Sequence, residues 1–166
     1  HHNADVATAR LNEAMTGRPV LAITLGDPAG IGPELAVRGL GLPEIHQCCV
    51  PVLFGSGAVL DRLAAQGLGQ LDWHRVPLEA WPRLGRPAEP LVVDCHVPGQ
   101  AEWTPGQVSP ICGQAAWTYI REAIASAQTR QVDGVVTLPI HKVALHRAGV
   151  PFPGHTEMFT ALTGAT

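Results

Sequence analysis

Three short runs of this sequence carry side chains whose types and spacing can do chemistry. The first is Gly26-Asp27-Pro28-Ala29-Gly30-Ile31-Gly32-Pro33-Glu34. Its glycines let backbone pass close to a ligand, and a helix starting near Pro33 offers free N–H groups to an anion. It is neither a Walker loop nor a Gly-x-Gly-x-x-Gly dinucleotide fingerprint. Asp27 can orient a hydroxyl or an ammonium, or it can cap its own turn. The second run is Thr137-Leu138-Pro139-Ile140-His141-Lys142. Lys142 supplies a positive charge for phosphate or carboxylate, or a proton-transfer group if its pKa is lowered. His141 can do either job at neutral pH. The plain alternatives are a solvated lysine and a histidine packed at a helix start. The third run is Phe152-Pro153-Gly154-His155-Thr156-Glu157. Gly154, His155 and Thr156 at a helix start can serve one oxyanion together, or form an ordinary helix cap.

The elements that must position these runs are legible. Arg18 to Leu25 is an apolar run ending at Gly26, which reads as a buried parallel strand. A helix follows from Pro33, so strand, Gly-rich loop and helix form one βα unit. Cys49 to Phe54 reads as a second strand, and Pro51 within it argues against a central place in the sheet. Ala58 to Ala64 reads as a helix, and residues 66–90 as irregular, with one short strand from Trp73 to Val76. Leu91 to Cys95 is a third strand and Pro98 to Pro110 a loop. Gly113 to Ala127 is the clearest helix: Ala116, Tyr119, Ile120, Ala123, Ile124 and Ala127 make one apolar face. Asp133 to Leu138 is a strand, so the second run sits at its C-terminal end, where open α/β sheets place ligands. Ile140 to Arg147 is a short helix, and His155 opens the last one. Strands alternate with helices, which predicts a layered α/β fold with a mainly parallel sheet.

Composition narrows the function class. The 166 residues are 46% hydrophobic and 15% charged, the balance of a packed core. The formal charge is −3 and the eleven Lys and Arg are scattered, so neither nucleic acid nor an anionic membrane is expected as partner. No apolar run reaches the ~18 residues of a membrane span. Cys48, Cys49, Cys95 and Cys112 form no Cys-x-x-Cys pair and read as reduced, buried small hydrophobes of a cytoplasmic enzyme. His46, His74, His96 and His146 read as surface or packing residues. No His-x-x-x-His or Glu-x-x-His pair lies on a helix, so no complete metal site is expected within the chain. His1-His2-Asn3 reads as a tag remnant, and residues 1–17 as that remnant or a flexible terminus.

The three runs, in this order, resemble the 4-hydroxythreonine-4-phosphate dehydrogenase family. Its pattern is similar to Gly26–Glu34, to the Gly-x-x-Ala helix start and Thr-x-Pro-x-x-Lys turn within 113–142, and to Ala-Gly-x-x-Phe-x-Gly-His-Thr-Glu at 148–157. The resemblance covers 18–166 and implies the N-terminal half of such an enzyme. It implies the isocitrate/isopropylmalate dehydrogenase fold, a layered αβα arrangement acting as a homodimer. It implies oxidation, with decarboxylation, of 4-phosphooxy-L-threonine to an aminoketone phosphate in pyridoxal phosphate biosynthesis. NAD or NADP would be the cofactor, with a divalent metal (zinc, magnesium or cobalt). The family's metal-binding histidines lie beyond its Gly-His-Thr-Glu motif. No histidine follows Glu157 here, so the ligands are expected beyond Thr166 and the chain alone is expected not to turn over. The family's His-Thr pair binds substrate, which maps to His155 and Thr156, with Gly154 beside them. Asp27, His141 and Lys142 match family positions as catalytic candidates. The other readings are a paralogue acting on a threonate or erythronate phosphate, a non-catalytic binding lobe, and an acyltransferase of similar fold.

Overall fold

The structure is a computed structural model and describes residues 17–99 and 103–165. Apart from Gly17, the segment read as tag remnant or flexible terminus lies outside the described residues. The strands are β1 (Val20–Thr24), β2 (Val50–Gly55), β3 (His74–Pro77), β4 (Leu91–Asp94) and β5 (Gly134–Thr137). The helices are α1 (Gly32–Gly39), α2 (Pro43–Cys48), α3 (Gly57–Ala65), α4 (Trp81–Leu84), α5 (Pro110–Gln128), α6 (Lys142–Arg147) and α7 (His155–Thr163). The strands form one sheet in the order β3-β4-β2-β1-β5, with every pairing parallel. A parallel sheet needs cover on both faces. All six residues of β2 are buried, so that cover is complete at its centre. Among the described residues, no helix is long and apolar enough to cross a membrane.

Pro51 does lie in a central strand, against the expectation drawn from its missing N–H. Val50 N donates to Pro19 O on the β1 side, so alternate residues Pro51, Leu53 and Gly55 face β4. The β4 pairing begins only at Val52↔Leu91. The position opposite Pro51 is therefore empty of strand, and no ladder bond is lost.

The expected single face of α5 divides in two. Cys112, Ala115, Tyr119 and Ala123 join the main core under the sheet. Ala116, Ile120 and Ile124 join a second core with Leu145, Val150 and Met158 of the α6–α7 region. An apolar arc this wide is buried from two sides. α5 also starts earlier than its apolar repeat: Ser109 Oγ accepts from Ile111 N at 3.2 Å, and Pro110 fills the first turn. α6 crosses α5 at Gly113, where an added Cβ would sit 2.1 Å from Ala144 O. Gly113→Ala is expected to lower stability by about 1–3 kcal/mol through overpacking. A shifted urea midpoint with unchanged slope would show it, and an unshifted midpoint would contradict the close crossing.

Two short helices, α2 and α4, were not read from the sequence, and α4 falls within the stretch 66–90 read as irregular. Both carry proline in the first turn. α4 is held by Trp81, which is 2% exposed and meets Phe54 edge-on at 5.6 Å. Its indole N–H donates to Ser126 Oγ at 2.8 Å. One buried anchor of this kind fixes a turn that propensity alone does not.

Candidate active site

β1 and β5 pair in register from Leu21↔Gly134 to Thr24↔Thr137. The chain leaves β1 towards β2 on one side, while α5 returns it from β4 to β5 on the other. The strand order therefore switches between β1 and β5. Such a switch opens a crevice at the C-terminal ends of the strands. The two loops leaving those ends are Leu25–Ile31 and Leu138–His141. They extend the ladder: Leu138 N donates to Thr24 O at 3.1 Å, and Asp27 N to Pro139 O at 3.0 Å. Gly26 makes this approach possible. Its φ is +77° and an added Cβ would stand 2.2 Å from Pro139 O.

Asp27 is thereby fixed at the floor of the crevice, 4% exposed. Its Oδ1 accepts from Ala29 N at 2.8 Å, and Gly30 N donates to its carbonyl at 3.0 Å. The turn-capping role is real, and the residue also lines a cavity. Asp27, Ile31, Gln107, Pro139, Ile140 and His141 all face a cavity of about 270 Å³. Burial pushes the Asp27 carboxyl above its ordinary pKa, opposed by the Ala29 N–H, by nearby His141 and by the Cys112 thiol. The thiol in turn is pushed up to about 11, by burial first and by Asp27 next.

This shift has a sign that can be tested. A carboxyl whose folded pKa lies above the ordinary 3.8 binds its proton more tightly in the native state. Its ionisation therefore costs stability at pH values above the folded pKa, and the cost is absent below the unfolded one. Asp27→Asn is expected to be more stable than the parent near pH 7 and to lose that advantage near pH 3. Urea midpoints at the two pH values decide it; the same difference at both would contradict a raised pKa.

Lys142 opens α6, is exposed, and has no ion-pair partner among the described residues. Its Cε lies 3.7 Å from where a side chain on Gly154 would begin. Gly154 is the N-cap of α7 in extended backbone, and no side chain caps the helix. The ordinary-cap alternative for His155 and Thr156 is thus not what the helix start shows. His155 Nε2 is buried with no hydrogen-bond partner. Burial also holds the ring below its ordinary 6.5, so it is neutral at pH 7. Thr156 is exposed beside it. Glu157 adds one carboxylate at this helix start, its Oε2 3.4 Å from the same point on Gly154.

The six residues named from sequence therefore fall into two groups that meet at the Thr137–Lys142 turn. Asp27 and His141 share a cavity, and Lys142 lies against the Gly154–Thr156 helix start. No hydrogen bond or ion pair among the described residues joins the two groups. Sequence reading missed Cys112, Ile31 and Gln107 as neighbours of the site. For Cys112 the signal was present, since Ser109-Pro110 is a helix start that places residue 112 in the first turn. Of the four cysteines, three are buried, but Cys48 is exposed on α2 and donates to Glu44 O at 2.8 Å. None of the residues of α2 is buried, so this position carries no core role. His74, His96 and His146 are exposed, and His46 packs edge-on against Trp73. Among the described residues, no group of three His, Cys, Asp or Glu could hold a metal ion.

A family model described as Pyridoxal phosphate biosynthetic protein PdxA matches residues 47–166. The chain is 40% identical over 143 residues to a D-threonate 4-phosphate dehydrogenase of Bordetella bronchiseptica, covering 84% of this chain and 40% of that protein. It is 37% identical over 155 residues to a 4-hydroxythreonine-4-phosphate dehydrogenase of Trichlorobacter lovleyi, covering 89% of this chain and 44% of that one. The crystal structure of a 4-hydroxythreonine-4-phosphate dehydrogenase from Burkholderia phymatum superposes with a TM-score of 0.77 at 33% identity, covering 90% of this chain and 44% of that one. The chain thus spans less than half the length of each of these relatives. These likenesses bear out the family resemblance and the parallel α/β fold read from the sequence.

Proposed function

This chain belongs to the pyridoxal phosphate biosynthetic protein PdxA family, and on that premise we propose that it is the substrate-holding part of a nicotinamide-linked dehydrogenase of a phosphorylated four-carbon hydroxy acid. The observation that carries this reading is the placement of free Lys142 against the uncapped start of α7. An ammonium, first-turn N–H groups and the Thr156 hydroxyl suit an anionic oxygen. Neutral His155, whose Nε2 lacks a partner, suits a hydroxyl or phosphate oxygen. His141, on the same turn, is the candidate to take the hydroxyl proton as the carbon-bound hydrogen leaves as hydride to NAD or NADP. The family resemblance supports a homodimer.

The family resemblance also implies a divalent metal. The described residues do not fit one, and no step here depends on it.

The substrate class has two members to separate. The family's name favours 4-phosphooxy-L-threonine of pyridoxal phosphate biosynthesis. The Bordetella relative favours 4-phospho-D-threonate. The two share a phosphate, a carboxylate and a secondary alcohol and differ at one amino group. Calorimetric titration of the chain with both, and with unphosphorylated threonate, tests the reading. Both phosphorylated acids are expected to bind, and loss of the phosphate to weaken binding by about tenfold or more. Equal affinity for threonate and its phosphate would contradict the phosphate role.

A further inference from the structure

We propose that Cys48 and Cys49 form a dithiol site for a soft, thiophilic centre that two sulfurs satisfy, the class to which a monosubstituted trivalent arsenical belongs. The site stands apart from the dehydrogenase reading. Cys49 leads directly into Val50, the first residue of β2, so the pair lies at the N-terminal end of that strand. The crevice beside Asp27 and His141 opens at the opposite, C-terminal end of the parallel strands.

The first observation is where the thiols sit. Cysteine is among the residue types most often buried. Cys48 is nevertheless exposed, on a helix with no buried residue. Cys49 is 6% exposed, yet it too belongs to neither hydrophobic core. Core packing therefore explains neither sulfur. Cys95 and Cys112 are the contrast: both are 0% exposed and part of the main core.

The second observation is the direction of the two side chains. Cys48 Sγ and Cys49 Sγ each donate to the Ile45 carbonyl at 3.5 Å. Two sulfurs that share one acceptor lie on the same side of the helix end, within twice that distance of each other. Consecutive residues of a regular strand would point to opposite faces instead. Burial pushes the Cys49 thiol up, the neighbouring Cys48 pushes it further, and Arg18 opposes both. Both cysteines are free thiols.

The third observation is the number of donors. Among the described residues, no group of three His, Cys, Asp or Glu could hold a metal ion. Zinc, which takes three or four protein ligands, is therefore a poor match. A trivalent arsenic that carries one carbon substituent has two positions left, and soft sulfur suits it. A direct disulfide fits less well. Disulfides span Cα atoms about 4.4–6.8 Å apart, whereas consecutive Cα atoms stand about 3.8 Å apart. An interposed atom enlarges the ring and relieves that strain. The bridge forms without oxidation: two As–S bonds replace the bonds from arsenic to oxygen, and the two thiol hydrogens leave with that oxygen as water.

The test treats the reduced 166-residue chain with one equivalent of phenylarsine oxide and reads the product by intact mass and tryptic mapping. Trypsin places Cys48 and Cys49 together in peptide 39–62, and Cys95 and Cys112 together in peptide 84–121. One phenylarsenic group is expected, on peptide 39–62. Stripping it from the parent is expected to need ~100-fold more 2-mercaptoethanol than from Cys48→Ser or Cys49→Ala, because the second sulfur recaptures a group released by the first. Cys48 is exposed, so Cys48→Ser keeps the fold and decides the matter even if Cys49→Ala does not fold. A group found on peptide 84–121, no adduct at all, or an adduct that Cys48→Ser holds as firmly as the parent overturns the proposal.

Discussion

Gly26→Ala is expected to cost about 3 kcal/mol or more and to dismantle the crevice between β1 and β5. Two effects add. A positive φ of 77° is strained for alanine, at about 1–3 kcal/mol. A methyl group 2.2 Å from Pro139 O cannot be accommodated, and both neighbours of the clash are backbone. Relief requires Asp27 N to release Pro139 O, which separates the Gly-rich loop from the His141–Lys142 turn. Chemical denaturation should show the loss, and amide exchange should show Asp27 opening with it. Gly67, also at positive φ (+70°) but with nothing within 4 Å, is the control. Gly67→Ala carries the backbone strain alone and should cost about 1 kcal/mol. Equal losses at both positions would mean that the Pro139 contact does not matter.

Lys142→Ala is expected to weaken binding of a phosphorylated hydroxy acid by about 10- to 100-fold, the range of one charge-assisted hydrogen bond. Lys142 is exposed and outside both cores, so its removal should leave the denaturation midpoint within ~0.5 kcal/mol of the parent. Binding and stability therefore separate at this residue. The parent's affinity should also fall with added salt more steeply than the variant's, since an exposed ammonium is screened. A variant that binds as well as the parent would remove Lys142 from the site. Glu157→Gln should act in the other direction, because it takes a negative charge from the same helix start.

The parts of this fold that sequence made plain are those where one physical signal acts alone. The run from Val20 to Thr24 is apolar on both sides and ends at a glycine, so a buried parallel strand is its only economical reading. The loops at Gly26 and Gly154 were legible because glycine, proline and polar residues crowd together next to a helix start. Pro51 misled because a missing N–H matters only where a neighbouring strand lies opposite, and where β4 begins is not written in residues 49–54. α4 was hidden because its helix is held by Trp81 reaching Phe54 and Ser126, two partners distant in sequence. Ala116 and Tyr119 looked alike on a helical wheel, and only the position of α6 and α7 sends one to each core. The site shows the same pattern. Its six residues were named from local motifs, but their division into an Asp27–His141 cavity and a Lys142–Gly154 contact depends on β5 lying beside β1.

The most direct test of the central claim is to map where a phosphorylated four-carbon hydroxy acid binds. Amide chemical shifts of the chain should be followed during titration with 4-phospho-D-threonate and with 4-phosphooxy-L-threonine. Saturable shifts are expected at residues 137–142 and 154–157, with weaker effects at Asp27 and none around Arg86 and Arg130 at the opposite end of the sheet. Shifts centred on Arg86 and Arg130, or no saturable shifts at all, would contradict it.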